Sequence, residues 1–240
     1  MRRLVLFLVV AFGLCACGAP PGKPGRDAEV LSPDQVLDFP TLFAQNCAGC
    51  HGTDGKGGAA IPLKNPTYFA LVDPAVMRKT IAQGVHGTPM PAFAQSAGGM
   101  LTEKQIDAIV AGMQSRWSEP RLLVGVSTPP YAKTLTGDAA QGAADYKVFC
   151  ESCHGAAGRG GPKGSSIVEP AFLSLVSDQG LRTIVIVGRP DLGAPDWRSN
   201  VSGMAMSDQQ VTDIVAWLTQ QRPASTVHAN PTEREPRNVR

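Results

Sequence analysis

A five-residue pattern, Cys-x-x-Cys-His, occurs twice in this chain of 240 residues. It occupies positions 47–51 and again 150–154, so the second copy follows the first by 103 residues. The segments Met90–Phe93 and Ala194–Trp197 correspond at almost the same offset, 104 residues. Self-similarity at a fixed spacing indicates a duplicated domain. We therefore expect two modules of the same fold.

Each module ends in a stretch with the pattern of an amphipathic helix. Its apolar residues recur at helical spacing, at Ile106, Ile109, Val110, Met113 and Trp117 in one copy and at Val211, Ile214, Val215 and Leu218 in the other. Capping boxes precede both stretches, Thr102 with Gln105 and Ser207 with Gln210. Positions 39–46 and 138–149 are also predicted to be helical, and the segments in between, rich in Gly and Pro, are expected to be loops. The pattern indicates an all-α fold.

The repeated pentapeptides indicate covalent haem. In Cys-x-x-Cys-His the two thiols bond to the haem vinyl groups and the His ligates the iron. A zinc site would need a second Cys pair in the same module, and a thioredoxin-like dithiol would need a β-α-β pattern. Neither is present in the sequence. We therefore expect two haem c groups, attached at Cys47, Cys50, Cys150 and Cys153 and ligated by His51 and His154. Modules of about 80 residues are marginal without such a buried group.

With these residues, each half resembles a class I cytochrome c domain, and the two together cover nearly all of the mature chain. The resemblance implies two tandem helical modules, each built around one haem. It also implies a sixth iron ligand, a Met in a loop before the last helix, often followed by Pro. Met90, followed by Pro91, matches that pattern and is expected to ligate haem 1 together with His51. His86 is an alternative ligand, interpreted here as a surface residue.

The second module departs from this family pattern at one position. Ala194 stands where Met90 has its counterpart, and an Ala side chain cannot bind iron. Three arrangements for haem 2 are compatible with the sequence. Met204 or Met206 supplies the ligand, the sixth position is open or holds water, or a His such as His228 binds there. Met206 corresponds to a core Leu in module 1, which makes Met204 the better candidate of the two.

The first residues indicate export. Arg2 and Arg3 precede an apolar run too short to span a bilayer, which is typical of a signal peptide. The run ends at Cys15-Ala16-Cys17, which resembles a bacterial lipobox. We expect Cys17 to carry the lipid that anchors the chain on the periplasmic side of a bacterial membrane. The alternative is a signal peptide that is simply cleaved and leaves a soluble product. With Cys15 in the signal, no Cys remains for a structural disulfide.

The predicted organisation has six parts. They are a signal peptide (1–17), a flexible tether (18–34), cytochrome c domain 1 (35–118), a Pro-containing linker (119–137), cytochrome c domain 2 (138–222) and a disordered tail (223–240). We call the two domains module 1 and module 2, and their cofactors haem 1 and haem 2.

Electron transfer is the predicted function. His/Met ligation favours a carrier over an enzyme, and two haems in one chain form a relay. The chain is expected to pass single electrons between an exported or membrane-bound donor and an acceptor such as a terminal oxidase or a dehydrogenase partner. The alternatives are a dihaem peroxidase and a gas-binding protein with an open haem 2, although no distal acid-base His is evident. The net charge of +2 gives no indication of nucleic-acid binding, and no small-molecule substrate is expected.

Overall fold

The structure, a computed structural model, describes residues 31–223. The expected signal peptide, Cys17, nearly all of the tether, almost the whole tail and His228 therefore lie outside the described residues. The chain divides into two compact units, residues 1–35 and 36–240. In the first unit the described element is a short 3-10 helix, Pro33–Gln35. All the α-helices described below belong to the second unit.

Each module contains five α-helices in the same order. In module 1 they are α1 (Phe39–Asn46), α2 (Ala48–His51), α3 (Pro66–Leu71), α4 (Pro74–Gln83) and α5 (Glu103–Trp117). In module 2 they are α6 (Ala139–Phe149), α7 (Glu151–His154), α8 (Pro170–Leu175), α9 (Asp178–Val187) and α10 (Asp208–Gln220). Between residues 31 and 223 the β structure is limited to isolated bridges. The predicted all-α fold and the helices at both ends of each module are confirmed.

Local sequence explains where these helices begin. Both predicted capping boxes are formed, with each N-cap hydroxyl accepting from the backbone of the Gln three residues on. Helices α3, α4, α8 and α9 lie in segments expected to be loops, so that expectation was wrong. The prolines that indicated loops occupy the first turn of α3, α4 and α8, where a missing N–H costs nothing. Asn65 and Asp73 cap α3 and α4 through their side chains.

The first and last helices of module 1 pack through aromatic rings. The ring of Phe39 lies against Gly112, where an added Cβ would be 2.2 Å from the ring. Trp117 contacts Phe43 edge-on, with 5.2 Å between ring centroids. These rings fill the crossing of α1 and α5.

The corresponding helices of module 2 approach more closely. A Cβ on Gly142 of α6 would lie 1.9 Å from the carbonyl oxygen of Asp213 in α10, so only glycine fits. Next to it the rings of Tyr146 and Trp217 stack with centroids 4.5 Å apart. The crossing of α6 and α10 is therefore a backbone-to-backbone contact.

The segment predicted to be a linker packs on module 2 through Arg182, which is 2% exposed. Its guanidinium donates to the carbonyl oxygens of Pro130 at 2.8 Å and Tyr131 at 3.2 Å. It also donates to the hydroxyl of Thr212 at 3.0 Å and pairs with Asp208. The interaction ties the segment 119–137 to α9 and α10.

Candidate functional site: two cysteine pairs and their histidines

The two pentapeptides adopt the same backbone conformation. Cys47 ends α1, and the single-turn helix α2 follows at once, with the amide of His51 donating to the carbonyl of Cys47 at 3.0 Å. In module 2 the amide of His154 donates to the carbonyl of Cys150, also at 3.0 Å. One helical turn therefore presents both thiols and the imidazole of each module together. The four cysteines form no disulfide.

Each imidazole is held through its Nδ1 atom. Nδ1 of His51 lies 2.9 Å from the carbonyl oxygen of Ile61, and Nδ1 of His154 lies 2.8 Å from that of Ser165. A carbonyl accepts a hydrogen bond, so the ring proton is fixed on Nδ1 and the lone pair on Nε2 is free for a metal. Burial also lowers the pKa of His51, which favours the neutral form that binds iron. Both rings fit the role of a haem ligand.

The thiol environment also fits an apolar macrocycle. Burial raises the pKa of the Cys47 thiol to about 11 and that of Cys150 to about 12. Both residues pack against the hydrophobic core. A low-dielectric surface of this kind suits a porphyrin better than a zinc ion, which requires thiolates.

The loop before the last helix has the same backbone pairing in both modules. The amide of Val85 donates to the carbonyl of Met90 at 3.0 Å, and the amide of Arg189 donates to that of Ala194 at 3.0 Å. Gly84 and Gly188, which precede these pairs, share a φ of 68°. Ala194 therefore occupies the backbone position of Met90. The correspondence inferred from the sequence holds in three dimensions.

The two candidate methionines of module 2, Met204 and Met206, follow Ala194 in the same loop. The amide of Met206 donates to the carbonyl of Trp197 at 2.9 Å, as that of Leu101 donates to Phe93 at 2.8 Å. Met206 is 3% exposed, whereas Met204 is 49% exposed and bonded within a tight turn to Val201. The structure gives Met206 the core position of Leu101. His86 is exposed.

Two buried polar atoms of module 2, Oδ2 of Asp145 and the indole nitrogen of Trp197, have no hydrogen-bond partner among the described residues. The indole N–H of Trp197, a fully buried residue, donates to no acceptor. A buried donor without a partner costs about 1–3 kcal/mol. A haem carboxylate is an acceptor of the required kind, so this atom also fits a haem in module 2. The equivalent Phe93 carries no such donor.

Arg182, Arg189 and Arg198 lie between the pentapeptide and the last helix of module 2, and each could in principle pair with a haem propionate. Arg182 is buried in the structure against the linker segment, as described above. Arg198 pairs with Asp196, and Arg189 pairs with Asp191 at 2.8 Å. Each of the three guanidinium groups therefore has a carboxylate partner within the protein.

The loop of module 2 that contains Ala194 also contacts module 1. The carboxylate of Asp191 accepts from the amide of Gly57 at 3.2 Å, and Arg189 donates to the carbonyl of Gly58 at 3.5 Å. Gly58 in turn packs on the backbone of His51, where a Cβ would lie 2.6 Å from the carbonyl carbon. The Ala194 loop thus contacts the segment that supports His51.

A second contact between the modules is buried. The side-chain amide of Asn65, 1% exposed, donates to the carbonyl of Val187 at 3.1 Å. Its side-chain oxygen caps α3 at the same time, by accepting from the amide of Thr67 at 3.0 Å. Sequence reasoning missed this residue and Asp191, because nothing in either repeat indicates which loop faces the other module.

Comparison with known proteins gives one family model that matches both modules. The model, described as cytochrome c oxidase, cbb3-type, subunit III, matches residues 34–111 and 137–218. The two matched segments each contain one pentapeptide and the first part of the helix that closes the module. Together they cover more than half of the chain.

Curated relatives carry respiratory names. The cytochrome bc1 complex cytochrome c subunit of Mycobacterium tuberculosis is 25% identical over 216 residues, which is 90% of this chain and 73% of that protein. The cbb3-type cytochrome c oxidase subunit FixP of Sinorhizobium medicae is 30% identical, over 55% of this chain and 45% of its own length. A solved chain of the Kuenenia stuttgartiensis reducing HAO-like protein complex aligns with a TM-score of 0.46 and 18% identity, over 81% of this chain and 100% of that chain.

Proposed function

The chain belongs to the family of cytochrome c oxidase, cbb3-type, subunit III, and on that basis we propose that its two haems relay single electrons from a membrane-bound donor to a respiratory acceptor. Members of this family bind covalently attached haem c, and the two matched segments correspond to two haems. The protein is a dihaem c-type cytochrome that transfers electrons. The identities of donor and acceptor are the proposed part.

In module 1 we assign Cys47 and Cys50 as the covalent attachment points and His51 and Met90 as the iron ligands. When bound, the haem iron supplies a one-electron couple, whose potential His/Met ligation raises. The protein holds the His51 ring through its Nδ1 bond to Ile61. The loop before α5 carries Met90, fixed by the backbone bond from Val85.

In module 2 we assign Cys150 and Cys153 as attachment points and His154 as the ligand. For the sixth position of haem 2 the sequence offers Met204 or Met206, a His such as His228, or an open site. We further propose domains at 35–118 and 138–222, joined by the segment 119–137. The bonds from Asp191 and Asn65 support a fixed relation between the two modules.

The names of the relatives suggest the partners. A cytochrome bc1 complex is the proposed class of donor, and a cbb3-type oxidase is the proposed class of acceptor. Neither role requires a small-molecule substrate, so the chain is proposed to act without catalysis of its own. A lipid at Cys17, outside the described residues, would keep the modules beside such complexes at the periplasmic membrane surface. In residues 31–223 no helix has the length and hydropathy needed to cross a bilayer.

The observation that carries the proposal is the pair of pentapeptides, each with its His fixed by a carbonyl at Nδ1. A pyridine haemochrome assay on the purified full-length protein should give two haems per chain. The double variants Cys47→Ala/Cys50→Ala and Cys150→Ala/Cys153→Ala should each retain one, and they serve as controls for each other. Anaerobic redox titration should show one-electron steps only. A single haem in the unmodified chain would refute the proposal.

A further inference from the structure

We infer that haem 2 receives no sixth ligand from residues 31–223, and that its open side binds small neutral diatomic molecules such as carbon monoxide or nitric oxide. The inference rests on the proposed assignment of His154 to that haem. It concerns the side opposite His154, where the Ala194 loop of module 2 corresponds to the Met90 loop of module 1.

The backbone pairing of Ala194 carries the first step. Gly84 and Gly188 have the same conformation, φ 68° with ψ −168° and −171°. Each is followed by a residue whose amide donates to Met90 or to Ala194. The two loops therefore start from the same backbone and present the same position. A methyl group takes the place of the thioether in module 2.

The side chain of Met206 is packed in the hydrophobic core. Its backbone is bonded to Trp197 and its side chain is 3% exposed, in the position that Leu101 holds at 5% in module 1. To reach a metal its side chain would have to leave a close-packed core site, and the cavity left behind would destabilise the module. In module 1 the same core position holds Leu101, which cannot bind iron, and the proposed ligand Met90 lies in the preceding loop.

Met204 lies in a turn of its own. The bond from its amide to Val201, 3.1 Å long, closes the turn, and the bond between Met206 and Trp197 fixes the chain two residues later. Its counterpart by position is Gly99. A segment fixed at both ends in this way has little freedom to carry Met204 to the position of the Met90 thioether.

The charged side chains of the Ala194 loop are already paired with each other. They are therefore not free to bind a charged or proton-demanding ligand at haem 2. Arg189 and Asp191 bond to each other and to the backbone of module 1, and Asp196 pairs with Arg198. The immediate neighbours of Ala194 are Leu192, Gly193 and Pro195, which carry no acid or base. Peroxide cleavage needs a positioned proton donor, whereas a neutral diatomic molecule does not. The surroundings of Ala194 therefore favour carbon monoxide and nitric oxide.

The test uses the full dihaem protein. Its ferric electron paramagnetic resonance spectrum should contain one high-spin and one low-spin haem, and the reduced protein should bind one carbon monoxide per two haems. Ala194→Met should make both haems low-spin and abolish carbon monoxide binding. Met90→Ala, the matched change in module 1, should raise the stoichiometry from one carbon monoxide to two.

Two low-spin haems in the unmodified protein, without carbon monoxide binding, would overturn the inference. So would a high-spin haem 2 that arises only in Met204→Leu, Met206→Leu or His228→Gln, because that residue would then be the ligand. These results leave the haem count at two and the electron-transfer proposal intact. Failure of the proposal itself would appear as a haem count below two, or as the absence of the Met-to-iron charge-transfer band from haem 1.

Discussion

Modules 1 and 2 fill the same helix crossing in opposite ways. In module 1 the bulky residue is Phe39 on the first helix, and it packs on Gly112 of the last. Module 2 has Gly142 at the position of Phe39 and Trp217 at the position of Gly112. Phe39 and Gly112 meet directly in module 1, whereas in module 2 Gly142 meets the backbone of Asp213 and Trp217 packs on Tyr146. The duplicated fold has thus moved the bulky side chain from the first helix to the last, and in module 2 the two helices meet through their backbones.

The two tryptophans show the same principle. Trp117 and Trp217 come from different positions of their helices, yet each ring reaches the glycine four residues after the His of its own pentapeptide. A Cβ on Gly55 would lie 2.7 Å from the Trp117 ring, and a Cβ on Gly158 would lie 3.3 Å from that of Trp217. The two rings therefore occupy equivalent places in the two modules, although the residues that carry them do not correspond in the sequence repeat.

The clearest difference between the modules is the burial of an arginine that both have at the same position. Arg78 and Arg182 occupy the same position of α4 and α9, and each bonds to the first turns of the last helix. The side chain of Arg78 is 40% exposed, whereas that of Arg182 is 2% exposed beneath the linker segment. One is a solvated ion pair and the other is a buried one.

This contrast gives the largest expected effect on stability. Arg182→Gln should lower the free energy of unfolding by about 3–5 kcal/mol, because the carbonyls of Pro130 and Tyr131 lose their buried donor and Asp208 loses its partner. Arg78→Gln is the matched control and should leave the urea midpoint unchanged, since exposed ion pairs contribute little. Equal effects of the two variants would show that the linker segment does not bury Arg182 in solution.

The glycine at the helix crossing gives the next largest effect. Gly142→Ala should destabilise the protein by about 1–3 kcal/mol, because its Cβ would overlap the carbonyl of Asp213 and force α6 and α10 apart. Thermal unfolding followed by circular dichroism measures the loss. Gly180→Ala in α9 is the control, since an added Cβ there meets side-chain atoms of Val176 and Ser177 and no backbone of a neighbouring helix. A neutral Gly142→Ala would contradict the close approach in module 2.

A smaller, pH-dependent effect is expected at the contact between modules. The bond from Arg189 holds the pKa of Asp191 below its ordinary value. A lowered folded pKa means that ionised Asp191 stabilises the fold above the unfolded pKa of about 3.9. That contribution is lost as pH falls through the folded pKa.

Asp191→Asn should therefore be less stable than the unmodified protein at neutral pH, and the two should converge as pH falls below about 4. Denaturant titrations at several pH values measure this difference. Asp54→Asn is the control, because its ion pair with Lys64 is solvent-exposed and lies within module 1. A difference for Asp191→Asn that does not change with pH would show that its charge plays no part.

The smallest effect concerns a hydroxyl that module 1 lacks. Burial raises the pKa of Tyr146 to about 12, and the protonated hydroxyl donates to the carbonyl of Gly155 at 2.5 Å. Tyr146→Phe should cost about 0.5–1.5 kcal/mol, measured from the urea midpoint. Phe43→Tyr tests the same position in module 1. A larger cost in module 2 would indicate that this bond also fixes the adjacent His154.

Sequence patterns predicted the outer helices well, because capping boxes and apolar spacing act within a few residues. The inner helices were missed for a local reason. Pro66 and Pro74 indicated loops, although Asn65 and Asp73 before them are helix caps that place proline in the first turn. A cap residue directly followed by Pro was the available signal.

For the site, the sequence predicted both pentapeptides and the correspondence of Met90 with Ala194. Sequence alone could not show that Met206 is buried or that Asp191 bonds to module 1, because both facts depend on how the loops fold back across long separations. Spacing within a repeat carries no information about contacts between repeats. The haem ligands themselves stay predictions, with Met90 and the open side of haem 2 as the ones to test first.

The burial of Arg182 has a consequence for dissecting and synthesising this protein. The carbonyl oxygens of Pro130 and Tyr131 serve this guanidinium, although both residues precede module 2 in the chain. A fragment that begins at residue 138 would leave a buried cation without these acceptors, whereas one that begins before Pro129 would keep them. During translation the two acceptor residues are synthesised before Arg182. The structural unit of module 2 therefore includes Pro130 and Tyr131 as well as the repeat itself.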